Sequence, residues 1–158
     1  MPKIDIARAI VTTSTAYPPP FDRVTIGREK TALGDVAGLT QFGVNRTRLK
    51  PGAASAMRHW HEGEDEFVYV LDGVLTLIEN EGETLLHAGD AAGFKAGVQS
   101  GHHLVNKSDR DAVYLEIGTR TASGRVHYPD DDIELRRDGG KLNFVHKSGE
   151  AYIFPPSP

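Results

Sequence analysis

Residues 59–73 read HWHEGEDEFVYVLDG, and the spacing inside this stretch decides the fold. His59 and His61 stand two residues apart, so on a β-strand they project from one face. Glu66 returns a carboxylate to that face if the chain turns between them, and Glu62-Gly63-Glu64-Asp65 has the composition of a turn. From Glu66 onward the run alternates, with Glu66, Val68 and Val70 on one side and Phe67, Tyr69 and Leu71 on the other. A third imidazole from a distant strand, His102, completes a set of nitrogen and oxygen donors suited to one divalent transition metal ion. The doublet His102-His103 leaves His103 as the alternative to His102.

Outward from this stretch the texture is that of an all-β protein. Short runs rich in Val, Leu, Thr, Phe and Tyr cover 39–49, 53–61, 66–71, 74–80, 84–87, 91–94, 102–106 and 112–118. Glycine-containing turns divide them, at Pro51-Gly52, Asp72-Gly73, Glu81-Gly82 and Gly89-Asp90. Many short strands without a helical period between them indicate a sandwich or barrel. Asp72-Gly73, set between two apolar runs, is the best hairpin signal. Residues 1–26 are proline-rich and read as extended or irregular chain. Beyond Arg120 the chain is charged, with a further strand expected over 143–147.

On these residues the chain resembles the cupin superfamily, in the manner of a small stand-alone bacterial single-domain cupin. The first motif of that family is matched by Gly52, His59-Trp60-His61, Glu66 and Gly73, with one residue more than usual between Gly52 and His59. The second is matched by Gly89, Gly97, His102 and Asn106. There Lys95 stands in place of the family's proline, and two extra residues precede His102. The resemblance implies a double-stranded β-helix, or jelly roll, with the metal inside the barrel. The expected organisation is a barrel core over 38–118. An N-terminal arm (1–37) and a C-terminal extension (119–158) pack on it as one domain. His59, His61, Glu66 and His102 would hold one ion of iron, manganese, nickel or zinc and leave one or two positions open for a ligand. By strand parity His102, Leu104 and Asn106 form a second inward set, and His103 points the other way.

Composition narrows the function. The chain has 158 residues, 39% hydrophobic, with a formal charge of −4 and no cysteine. That is one domain's length with enough apolar residues for a core. Thiolate sites and disulfides are excluded, and no basic stripe suits a nucleic acid. No apolar run approaches the ~20 residues of a membrane span, and Met1–Phe21 has no apolar core of a signal peptide, so a cytoplasmic location is expected. The expected partners are a small-molecule ligand or substrate and a second copy of the chain in a homodimer, with no nucleic acid and no membrane. Edge strands of a small barrel favour the pairing.

The expected function is that of a metal-dependent enzyme of dioxygenase or isomerase/lyase type. Its substrate would be a small carbonyl, carboxylate or sugar-like molecule. The alternative is a non-catalytic module that binds or senses a sugar or metabolite through the same metal. Similar barrels are often labelled sugar-phosphate isomerases, but no basic cluster flanks the motifs. Trp60, of opposite parity to its neighbours, is expected outside the barrel, at a subunit interface. Glu62, Glu64 and Asp65 read as a solvated turn, and Asp130-Asp131-Asp132 as a solvated loop.

Overall fold

The alternation in the 66–71 run is realised as the wall of a barrel. In the computed structural model, which describes residues 3–153, Val68 and Val70 are buried while Phe67, Tyr69 and Leu71 face outward. The strands are β1 (Val11–Thr12), β2 (Arg28–Ala32), β3 (Phe42–Leu49), β4 (Trp60–His61), β5 (Glu66–Asp72), β6 (Val74–Glu79) and β7 (Gly82–His87). They continue as β8 (Ala91–Phe94), β9 (His103–Val105), β10 (Ala112–Thr119), β11 (Gly124–His127), β12 (Glu134–Asp138) and β13 (Lys141–Val145). One sheet runs β1-β2-β3-β10-β5-β8, a second β7-β6-β9, and a third β13-β12-β11-β4. The protein is all-β, a jelly roll, with only short helical turns such as α1 (Leu33–Val36). Among the described residues no helix is long and apolar enough to cross a membrane.

The register explains which side chains meet inside. Val70 pairs with Tyr114 and Tyr114 with Thr47; Val68 pairs with Glu116 and Glu116 with Asn45. Side chains opposite one another share a face. The apolar half of this interior is closed by Leu49, Leu75, Leu77 and Leu104, all nearly inaccessible to solvent. Burial of such side chains supplies the main stabilisation, roughly 1.5–3 kcal/mol each.

Asp72-Gly73 differs from its sequence reading. The strands on either side of it do not pair with each other: β5 lies between β10 and β8, while β6 lies between β7 and β9. The dipeptide is the corner at which the chain leaves one sheet for the other. Gly73 takes φ +80°, and a Cβ there would stand 2.9 Å from the Cα of Ala112. Short-range turn chemistry is the same for a hairpin and for a sheet-switching corner, because both need a positive φ. The tight hairpins lie at Asn80-Glu81, which joins β6 to β7, and at Gly139-Gly140, which joins β12 to β13.

The two ends of the chain extend the sheets. β2, within residues 1–37, pairs along β3 from Arg28–Leu49 to Ala32–Asn45. In the C-terminal part, β11 pairs with the histidine strand β4, His127 opposite Trp60 and Val126 opposite His61. A second apolar cluster, Met57, Val126, Tyr128, Ile133 and Phe144, is joined by Tyr17 and Phe21 from the N-terminal segment. Residues 154–158 of the C-terminal extension lie outside the described residues.

Candidate metal centre and its cavity

The two histidine-bearing segments meet directly. His59 and His102 form an antiparallel bridge, with His59 N donating to His102 O at 3.1 Å and His102 N donating to His59 O at 2.9 Å. A second bridge joins Ala54 to Val105. Between the bridges residues 55–58 oppose only 103–104, so the first segment bulges. The polar groups freed by the bulge find partners. Ser55 Oγ accepts from Leu104 N at 3.0 Å, and Ala56 O lies 2.9 Å from His103 Nδ1. The longer interval between Gly52 and His59 is taken up here.

Three imidazoles converge on one carboxylate oxygen. Glu66 Oε2 lies 2.9 Å from His102 Nε2, 3.4 Å from His61 Nε2 and 3.6 Å from His59 Nε2. One ligand atom each from His59, His61 and Glu66 lie within 4.8 Å of one another, a His-His-Glu set of the kind that holds a metal. His103 is turned away, its Nδ1 donating to the Ala56 carbonyl. The parity of the 102–106 segment accounts for this: His102, Leu104 and Asn106 are buried, His103 and Val105 half-buried. Asn106 ties the end of that segment down. Its Nδ2 donates to the Leu49 and Arg110 carbonyls, both at 2.8 Å, and its Oδ1 accepts from Ser108.

Neighbouring oxygens set the ring protons. His59 Nδ1 donates to the Met57 carbonyl at 2.7 Å, and His102 Nδ1 faces the Ser100 carbonyl at 3.3 Å. His61 Nδ1 meets Glu64 Oε2 at 3.0 Å. A proton held at Nδ1 leaves Nε2 of a neutral ring as a lone pair for a metal ion, whereas a protonated ring donates its Nε2–H toward Glu66. Three such lone pairs around a carboxylate repel one another unless positive charge joins them. His61 Nε2 is also buried without a hydrogen-bond partner. This donor chemistry fits a divalent cation. Phe94 fixes the His102 ring by stacking on it at 3.6 Å between centroids.

The electrostatics follow the same contacts. Burial raises the Glu66 carboxyl, but the His102 hydrogen bond and the His59 and His61 imidazoles close to it outweigh burial and hold the group well below the usual carboxylate range. Burial opposes a charged His61, yet Glu64 and Glu66 raise it to about 9. Glu64 is not the solvated turn residue its neighbours suggest. It is half-buried, bonds His61 and Thr121, and forms an ion pair with Arg137. Burial would raise its pKa, but the His61 bond, the Thr121 amide and Arg137 lower it to about 2. A carboxyl depressed in the folded state stabilises above its unfolded value of about 4.5, and that contribution is lost as pH falls toward about 2. Glu64→Gln is therefore expected to lower stability at neutral pH and to flatten the acid limb between about 4.5 and 2, as measured by chemical denaturation across that range.

The cluster opens onto a cavity of about 390 Å³ lined by residues from both ends of the chain. Tyr128 from the C-terminal part lies over His59, ring centroids 6.0 Å apart, and packs edge-on against Tyr17 from the N-terminal segment. Burial raises the Tyr17 phenol, so it stays a neutral donor. At another part of the wall Glu116 accepts from Lys30 Nζ at 2.5 Å, Asn45 at 3.0 Å, Thr47 at 3.2 Å and Tyr114 at 3.1 Å. Burial opposes its charge, but Lys30 dominates and lowers its pKa. Arg28 also lines the cavity. Tyr17, Arg28, Lys30 and Tyr128 carry no motif, and only the tertiary packing brings them here. Trp60 is half-buried, with one face of its indole stacked on His127 of its own chain at 4.2 Å. The acidic run is paired as well, Asp130 with Arg58 and Asp132 with His146.

The cupin domain family matches residues 45–118. A sugar phosphate isomerase of the cupin superfamily from Silicibacter pomeroyi is 39% identical, and the match covers 96% of this chain and 97% of that one with a TM-score of 0.93. The chain belongs to the cupin superfamily. A protein from Acidithiobacillus ferrooxidans, provisionally given the same name, is 31% identical over 81% of each cupin chain, with a TM-score of 0.73. The polyketide cyclase RemF from Streptomyces resistomycificus shares the cupin fold at 17% identity, covering 75% of this chain and 79% of that one with a TM-score of 0.61. No curated protein matches the chain in sequence.

Proposed function

We propose that this cupin is a metal-dependent enzyme that transforms a small carbonyl, carboxylate or sugar-like compound inside its barrel. The observation that carries the reading is the convergence of three imidazole Nε2 atoms on Glu66 beside a cavity of small-molecule size. His59, His61, Glu66 and His102 would hold one divalent transition metal ion. The ion supplies Lewis-acid or oxygen-activating chemistry.

The chain's own residues prepare the rest. Tyr17 and Tyr128 offer neutral phenol groups beside the cluster. Thr15, Ala16 and Tyr17 bring the N-terminal segment onto the cavity and restrict water there. Glu116, its oxygens filled by four donors, positions Lys30 and the Tyr114 hydroxyl rather than abstracting protons. The name of the Silicibacter pomeroyi protein favours isomerisation over oxygenation. We read residues 38–118 as the core, with 1–37 and 119–158 packed on it as one cytoplasmic domain.

The test is a turnover screen of metal-loaded protein against aldoses, ketoses and hydroxy or keto acids, with and without dioxygen. Glu66→Ala should lose at least about a hundredfold in rate. Tight metal-dependent binding with no turnover across the screen would replace the enzyme by a binding or sensing module.

The same reading takes the chain as a homodimer. Phe67, Tyr69 and Leu71 form an exposed apolar row on the outward face of β5, which a second copy would cover. Light scattering is expected to give about twice the chain mass of 17.2 kDa at micromolar concentration. A value at the monomer mass would exclude the dimer.

A further inference from the structure

The charged side chains that line the cavity pair off, with one exception. Lys30 is matched by Glu116, Arg137 by Glu64, Arg120 by Asp35, and Glu66 by the histidines. Arg28 has no carboxylate within ion-pair distance among the described residues, although it is only 8% exposed. Its guanidinium is held by neutral carbonyls: Nη1 donates to Ser55 O at 2.6 Å and Nη2 to Ser14 O at 3.2 Å. Its Nε is buried with no acceptor. Carbonyl dipoles orient a guanidinium but leave its charge unmatched, and an unmatched buried charge is costly unless a counter-ion joins it.

We propose that Arg28 is the receptor for an anionic group, a carboxylate or a phosphate, on the ligand that enters this cavity. The N-terminal segment, outside the matched cupin domain, then selects the charge class of the substrate. This deepens the reading of the cavity as a substrate site and rests on it. The side-on donor pair of a guanidinium is Nε with Nη2, the geometry that takes an oxyanion bidentately. In Arg28 that pair comprises the unfilled donor, which is closed to solvent, and the donor with the longer bond, so the anion displaces the Ser14 carbonyl and opens the packing around Nε. Lys30, from the same strand and the same cavity wall, has its charge taken up by Glu116, so Arg28 carries the unmatched charge of this wall.

The experiment titrates inorganic phosphate, acetate and, as a control, chloride into the protein at pH 8, with and without bound zinc. Calorimetry reads affinity, and the Arg28 Nε–H resonance reads the site, assigned by its absence in Arg28→Lys. Saturable binding of phosphate or acetate with a shift of that resonance is expected, and the stronger of the two names the anion. Arg28→Gln should weaken binding at least about tenfold while zinc per chain is unchanged. Zinc loss in His59→Ala should leave the anion affinity within about threefold. If His59→Ala keeps its zinc, the metal reading fails and the anion site stands. Equal binding by wild type and Arg28→Gln, no saturable binding to wild type, or a resonance that does not move overturns the inference. The resonance of the wild type decides even if Arg28→Gln does not fold.

Discussion

His61→Ala is expected to lower metal affinity by more than about a hundredfold, and His59→Ala and His102→Ala to do the same, while His103→Ala stays within about threefold of wild type. The contrast between the adjacent histidines is the sharpest part. His102 Nε2 faces Glu66 at 2.9 Å, whereas His103 is spent on the Ala56 carbonyl. His61 is the most exposed to loss, because Glu64 also orients its ring. Metal per chain after reconstitution, measured by elemental analysis, should be near one for wild type and His103→Ala and near zero for the other three. A metal-depleted His103→Ala with a loaded His102→Ala would reverse the ligand assignment. Metal removal from wild type should lower the melting temperature and leave the strand signal intact. The barrel has its own apolar core, and metal at a hundredfold above its dissociation constant adds only about 2.7 kcal/mol.

Gly73→Ala is expected to cost about 3 kcal/mol, the largest stability loss for the addition of a single methyl group. Two terms combine. The residue has φ +80°, which L side chains adopt only with strain, and the new Cβ would stand 2.9 Å from the Ala112 Cα and Cβ and from the Asp111 carbonyl oxygen. Those contacts belong to the start of β10, which is paired on both sides and cannot shift alone. For a domain of this size such a loss corresponds to roughly 10 °C in melting temperature. Gly82→Ala is the control, since its φ is +132° but nothing stands within 4 Å of an added Cβ. Its cost should be clearly smaller. Equal costs would mean that backbone strain alone, not the close approach to Ala112, governs the corner.

The strand alternation from Glu66 to Leu71 was legible because one face is buried and the other is not, and a period of two records that directly. The same parity placed His102, Leu104 and Asn106 inside and turned His103 away. The spacing of His59, His61 and Glu66 was legible for a related reason: side chains on neighbouring strand positions must share a face to meet. These features are local, each contained in a few consecutive residues.

What tertiary structure alone decided is non-local. Gly73 requires a positive φ in either case, and whether β5 then pairs with β6 or turns away depends on β10, about 40 residues on. Glu64 looked like one acid among several, and only Thr121 and Arg137 make it a buried partner of His61. Arg28 and Lys30 carried no signal, because Arg28-Glu29-Lys30 is a mixed-charge run that reads as a solvated surface until packing shows which side chains face a cavity. β2 brings them to the cavity by pairing with β3, and the charge of the site is therefore set by packing. Alternation and spacing within single runs marked the strands and the inward-facing histidines; contacts between distant segments, which no run records, brought those histidines together and determined the cavity around them.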